Sequence, residues 1–435
     1  MSRKLSTQLS AWLADKPQWL RDVAQMPVVD THEHLLPEAA RLASNDSVMS
    51  WIFSQYITTD FSGAGMPREV TNKIGITNNG TSLGIDDTAL LKALKEFWPL
   101  VRNTGYAQVI NRYFSLRFGL EEFEPDNYAA FQAAMSSEVQ PGFYNRLFAE
   151  SNVIAVHNCP NPDTLLNTDE YAGIFFRDFR PDRLCAANLL PELATFYGME
   201  LDSFDKVETL LDDCFKQAAA DPRCIAVKIG LAYSGPLDFA ELSAADMRKL
   251  HAMQGDELRD NVHSSLFKSW LVRKVLAEAP QHGLPVKFHT GHYAGAFSEN
   301  LEAISRNLID LQKLIEEYTD TQFVIMHHCW PYGEAAAALA KSYPNCYIDQ
   351  CWLWAMNPSA GVRYLKEFLM SAPSNKLFAF GGDYRYPECS VGHLDLALHG
   401  VCTALHELVV EGWITPGTAV ICAENILYKN QQRLF

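Results

Sequence analysis

The stretch Pro27–His34 reads PVVDTHEH. An apolar, β-branched run that closes on alternating histidines has the pattern of a barrel or sheet strand ending in polar residues. In a strand, residues two apart point to the same face, so His32 and His34 project side by side. Both imidazoles can then reach one metal ion at ~2.0–2.1 Å. Taken alone, a His-x-His pair is a weak signal, and the rest of the chain decides its meaning.

From about residue 150 onward, short apolar runs ending in polar residues alternate with amphipathic helical stretches. The runs are VIAVHN (Val153–Asn158), LCAANLL (Leu184–Leu190), IAVKIG (Ile225–Gly230), PVKFHTG (Pro285–Gly291), FVIMHHC (Phe323–Cys329), CYIDQCW (Cys346–Trp352) and FAFGGD (Phe378–Asp383). With Pro27–His34 they make eight strand candidates. The spacers at Glu299–Tyr318, Gly333–Ser342 and Val362–Met370 carry helical patterns. Strands alternating with helices imply parallel pairing through right-handed crossovers, and eight such strands close a barrel. The expected fold is therefore α/β, a (β/α)8 TIM barrel.

The segment from Leu35 to Glu150 is too long for a loop. It holds helical stretches at Asp87–Asn103 and Pro125–Glu138 and a Gly/Asn-rich stretch, NNGTSLG, at Asn78–Gly84. It reads as a mainly helical insertion after strand 1. Loops that follow barrel strands sit at the catalytic face, so this insertion is expected to cap the active site. The expected organisation is N-terminal helices and the first strand over 1–35, a helical cap over 36–150, and the rest of the barrel over 151–435. Pro236–Gln281 is a second long helical connection, and a helix over Thr415–Phe435 closes the chain.

Composition agrees with a large folded core: 435 residues, 48% hydrophobic and 20% charged. No apolar run reaches the ~18 residues of a membrane span. The amphipathic N-terminus mixes Lys4, Asp15, Lys16, Arg21 and Asp22 with Trp12, Leu13, Trp19 and Leu20, unlike a signal peptide, so a cytoplasmic location is expected. Ten cysteines scattered from Cys159 to Cys422, without a CxxC pair, read as buried small residues rather than a disulfide framework. A net charge of −16 argues against binding nucleic acid or an anionic membrane. An anionic small substrate is still accommodated, because a metal and a few basic groups reverse the potential inside a cleft. The expected partners are such a substrate and further copies of the chain in a homo-oligomer.

Three more strand ends carry chemistry. PVKFHTG presents His289, FVIMHH presents His327, and FAFGGD presents Asp383. In a parallel barrel these ends converge on one mouth, where imidazoles and a carboxylate suit Zn2+ or another divalent transition ion.

The combination resembles the amidohydrolase superfamily. The matching pieces are VVDTHEH, VKFHTGHYAG, FVIMHHCWPYGEAAAALAKSYPNCYIDQC, FAFGGDYRYPE and the terminal ENILYKNQQRLF. The nearest branch in pattern includes metal-dependent aromatic-acid decarboxylases, lactone hydrolases and uronate-isomerase-like proteins. The resemblance covers strand 1 and most of the chain after residue 150, and leaves out the insertion. It implies that His32, His34, His289 and Asp383 hold one metal, with zinc expected ahead of manganese. It also implies that Asp383 serves as general base, and that His327, rather than its neighbour His328, assists beside the metal. In two-metal members a carboxylated lysine ends strand 4, which makes Lys228 a candidate bridge. The preferred reading is a plain lysine that contacts the substrate, with one metal.

Lys287 shares the inward face two residues before His289, and Arg385 stands two beyond Asp383, where it could grip a carboxylate. Trp330, Tyr332, Trp352 and Tyr384 are candidates for an apolar wall, His292 for a supporting role, and His157 for a buried polar group. The expected activity is hydrolysis of a small carboxylated or cyclic amide, lactone or ester by activated water. A non-oxidative decarboxylase and a uronate-type sugar-acid isomerase are the alternatives. A barrel that has lost catalysis would have one of the five metal-site positions replaced, and none is.

Overall fold

The computed structural model describes residues 3–44, 46–75, 84–159 and 173–435. Its eight strands are β1 (Val28–Glu33), β2 (Val153–Asn158), β3 (Phe175–Phe179), β4 (Cys224–Ile229), β5 (Val286–Phe288), β6 (Phe323–Ile325), β7 (Cys346–Asp349) and β8 (Leu377–Phe378). They lie in sequential order, and every neighbouring pair is parallel. The residues after β8 close the ring on β1. Thr31 N donates to the Phe380 carbonyl at 3.1 Å, Asp383 N to His32 at 2.8 Å, and His34 N to Tyr384 at 2.9 Å. This is a (β/α)8 barrel.

The helices between strands bury one stripe each. In Leu301–Glu317 the buried positions include Ile304, Leu308, Leu311 and Ile315, three or four residues apart. The Asn300 side chain caps that helix by accepting from Ala303 N at 3.1 Å. Of the described residues, no helix is long and apolar enough to cross a membrane. All ten cysteines are free.

Between β1 and β2 the described residues form eight α-helices, from Glu38–Ala43 to Phe143–Glu150. They gather an apolar core of their own, into which the barrel contributes Trp352, Ala355, Tyr384, Cys389 and Leu396. Helix Gly105–Phe118 crosses helix Pro387–Val410 closely enough that a Cβ on Gly392 would lie 2.2 Å from the Val109 carbonyl oxygen. A buried ion pair, Arg41 with Glu388, adds a second tie between these helices and the barrel. Most of the NNGTSLG stretch, Asn78–Leu83, lies outside the described residues.

One strand differs from the sequence reading. Leu184–Leu190 is not a strand: Pro181–Cys185 forms a 3-10 turn and Leu190–Tyr197 a helix. The third strand is instead FFRDF, Phe175–Phe179. Its charges disguise it. Arg177 pairs outward with Asp221 at 2.7 Å, while Asp178 pairs with Lys287 at 2.8 Å. LCAANLL is apolar because Leu184, Leu189 and Leu190 pack on the main core from a turn. The closing helix is also interrupted, by a π-turn at Asn425–Lys429. Strands β5, β6 and β8 are shorter than the apolar runs that announce them.

Candidate metal centre and substrate cavity

Three of the predicted ligands meet at one point. His32 Nε2 lies 3.2 Å from His34 Nε2 and 3.6 Å from Asp383 Oδ1, and His34 Nε2 lies 3.3 Å from the same oxygen. Tetrahedral donors at ~2.0–2.1 Å from an ion stand ~3.3 Å apart along each edge, so the spacing fits a divalent metal. His34 Nδ1 donates to the Cys159 carbonyl at 2.6 Å, which leaves Nε2 with its lone pair facing the centre. The His32 and Asp383 side chains are buried. Burial holds the His32 imidazole well below its usual pKa, hence neutral and able to ligate. Burial pushes the Asp383 carboxyl up, but its neighbours His34, His327 and Lys228 outweigh it and hold the group below its ordinary range.

Asp383 sits in left-handed backbone, φ 61°, as do His327 at 59° and Trp352 at 62°. Such a conformation costs a non-glycine residue about 1 kcal/mol or more. The Asp383 carbonyl is held by the Tyr56 hydroxyl, which donates at 2.5 Å, and by Gln55 Nε2 at 3.4 Å. At the preceding position a Cβ would lie 1.9 Å from Glu33 Oε1, so only glycine, Gly382, fits. Glu33 in turn accepts from Tyr384 N at 2.7 Å and steadies the same loop.

His289 stands outside this triad. Its Nε2 faces the His292 carbonyl at 3.1 Å and its Nδ1 faces His327 Nε2 at 2.9 Å. In this arrangement both His289 nitrogens face protein groups rather than the triad. His327 Nδ1 lies 3.8 Å from Asp383 Oδ2 and 3.1 Å from the Cys351 carbonyl. Burial depresses the His327 pKa to about 3, so it is neutral. His328 turns the other way, against Tyr364 and Phe368, and accepts from Gln350 Nε2 at 3.1 Å.

A cavity of about 940 Å³ opens beside the triad. His34, His289, Asp383 and Lys228 line it, with Arg180, Arg183 and Arg385 on its walls. Ser54, Gln55, Tyr56, Thr58 and Thr59 of the helical insertion form another wall. Lys287 is elsewhere. It is fully buried beneath His32, where its Nζ donates to the Thr31 carbonyl at 2.9 Å and to Asp178 at 2.8 Å. Trp330 packs against Leu353 and Tyr364, and Tyr332 against the main core, so neither lines the cavity. His157 is a buried group 3.4 Å from Lys287.

The sequence reading misses Tyr56, Gln55, Arg180, Arg183 and Tyr233, whose ring centroid lies 4.3 Å from that of His289. Arg180 and Arg183 had a findable signal. Read as a strand, FFRDF places Arg180 immediately after its C-terminal end and Arg183 in the turn that follows, at the mouth.

Comparison with known proteins agrees with this architecture. The chain is similar over its whole length to a uronate isomerase from Thermotoga maritima, with a TM-score of 0.72, 14% identity, and coverage of 99% of this chain and 98% of that one. A candidate metal-dependent hydrolase from Lactobacillus casei gives 0.65, 15% identity, and coverage of 95% and 96%. At such identities the likeness bears on the fold alone. In sequence, 234 residues are 28% identical to Protein fluG of Emericella nidulans, covering 50% of this chain but only 26% of that protein. Residues 208–398, from the helix before β4 into the helix after β8, match the family model described as Amidohydrolase.

Proposed function

We propose that the chain is a metal-dependent hydrolase of a small carboxylated amide, lactone or ester. One observation carries the reading: the 3.2–3.6 Å spacing of His32, His34 and Asp383 beside a cavity walled by Arg180, Arg183 and Arg385. These three residues would hold a single divalent ion, zinc by preference, because two imidazoles and a carboxylate suit it. Bound there, the ion supplies Lewis acidity to a substrate carbonyl and acidifies water.

The chain supplies the rest. Asp383, ionised at neutral pH, accepts the proton of the attacking water and passes it to the leaving group. His289 faces the cavity with His327 behind it, so His327 acts by setting the tautomer of His289 rather than by touching the substrate. Arg183 and Arg385 on the cavity wall attract and orient a carboxylate, while Arg180 is held by Asp182. The insertion over 36–150 caps the site through Ser54–Thr59, and these residues select among substrates.

A second reading, a sugar-acid isomerase, draws support from the hydroxyl and amide groups of Ser54, Gln55, Thr58, Thr59 and Asn188 along the cavity, which suit a polyhydroxylated ligand. A substrate panel separates the two. Zinc-loaded protein is given lactones, N-acyl amino acids, aromatic carboxylic acids and uronic acids, and acid release, CO2 release and ketose formation are followed. Acid release supports the hydrolase, and ketose formation without acid release overturns it.

A further inference from the structure

Two lysines are register partners on adjacent strands, Lys228 on β4 and Lys287 on β5. Their surroundings differ. Lys287 has Asp178 at 2.8 Å. Lys228 is 3% exposed and lines the cavity with His34, His289 and Asp383. Among the described residues it makes no ion pair, and its polar contact is the Met326 thioether sulfur. Its cationic neighbour is already committed: Arg180 gives Nε and Nη2 to the two oxygens of Asp182, each at 2.9 Å, and Nη1 to Cys159 Sγ at 3.3 Å.

An ammonium that is buried without a counter-ion opposes folding, since neither water nor a carboxylate repays its desolvation. Burial accordingly pulls the Lys228 pKa down, against the partial support of Cys351, Asp383 and Cys159. A group placed at such a cost, in the wall of a cavity beside a metal centre, is completed by what enters the cavity.

We propose that Lys228 is a substrate-anchoring residue whose ammonium pairs with a second anionic oxygen of the ligand, so that the site takes small dianions, dicarboxylates in particular. This deepens the hydrolase reading and rests on it for the site, but not for the reaction. One carboxylate faces the arginine-bearing wall, and the other reaches Lys228 across the same cavity. A monocarboxylate leaves Lys228 unpaired and forfeits that contact.

The test uses the full-length protein as purified; glutarate and pentanoate carry no bond to hydrolyse, so binding is read without turnover. Calorimetric titration compares glutarate with pentanoate on wild type, Lys228→Met and Lys228→Arg. The expected results are about tenfold or greater weakening of glutarate binding in Lys228→Met, retention of most of it in Lys228→Arg, and no change for pentanoate. Unliganded Lys228→Met should also melt higher than wild type, by roughly 5 °C, because an unpaired buried charge is gone. A structural lysine would move the melting temperature the other way. Glutarate that fails to bind wild type, glutarate affinity unchanged in Lys228→Met, or a lower melting temperature for that variant overturns the proposal. So does an intact-mass gain of one CO2 on Lys228. If the hydrolase reading fails on the substrate panel, the glutarate result stands independently.

Discussion

Asp178 accepts from Lys287 Nζ at both carboxylate oxygens, at 2.8 and 3.1 Å, and sets the second of them 3.7 Å from His32 Nδ1. The pair thus lies directly beneath the His32 imidazole, and all three side chains are buried. Replacing Lys287 by Met strands the Asp178 carboxylate in the barrel interior, and losing one partner of a buried pair costs about 3–5 kcal/mol. Chemical denaturation should show that loss. Combining Lys287→Met with Asp178→Leu should recover most of it, and a double variant no more stable than the single one would show that the pair is not the cause.

Metal content follows the triad geometry. His32→Ala and Asp383→Ala should each abolish stoichiometric zinc after dialysis, because each removes one of three donors that stand 3.2–3.6 Å apart. His289→Ala should keep its zinc and lose turnover, since both of its nitrogens are engaged by His292 and His327. Elemental analysis of the purified variants decides this, and loss of zinc from His289→Ala would place His289 among the ligands.

Much of this site is legible in the amino-acid sequence alone. His32, His34 and Asp383 end apolar runs, and a parallel barrel brings such ends to one mouth whatever their separation in the chain. What escapes reading depends on partners remote in sequence. FFRDF looks too polar for a barrel strand because Asp178 is neutralised by Lys287, more than a hundred residues away. The arginines that follow that strand vanish with it. The orientation of His289 is set by the His292 carbonyl, a contact that no periodicity encodes. Tyr56 and Gln55 lie between short helices of the insertion, and no apolar repeat marks them as site residues.

Asp60 gives a pH signature. Burial raises its carboxyl to about 6 from 3.8, against the hydrogen bond that Thr104 Oγ1 donates at 2.6 Å. The folded state therefore binds the proton more tightly than the unfolded state, and this group's contribution to stability falls as pH rises from about 4 to about 6. Asp60 is partly accessible, so solvent screening reduces the effect to roughly 1–2 kcal/mol. Asp60→Asn keeps an oxygen to accept from Thr104 and removes the charge. Urea midpoints should show the variant gaining on wild type between pH 4.5 and pH 7, with no further gain above. An advantage that does not grow with pH would mean that Asp60 is solvated in the folded protein.

Arg41 and Glu388 tie the helical insertion to the barrel. The Arg41 guanidinium donates from Nη1 to Glu388 Oε2 at 2.7 Å and from Nη2 to the other oxygen, with the rings of Trp51 and Tyr386 each 5.4 Å from its carbon. Arg41→Met leaves a buried carboxylate unpaired at the first turn of helix Pro387–Val410, and should cost about 3–5 kcal/mol. Because that helix begins just after Asp383 and Arg385, loosening it reaches the cavity wall as well as the insertion. The variant should therefore bind its substrate more weakly while keeping its zinc, since no metal-facing donor touches the pair. Glu388→Gln keeps an acceptor for the guanidinium and should fall between wild type and Arg41→Met in both stability and KM. Zinc lost in step with stability would show that the insertion and the metal centre unfold together rather than separately.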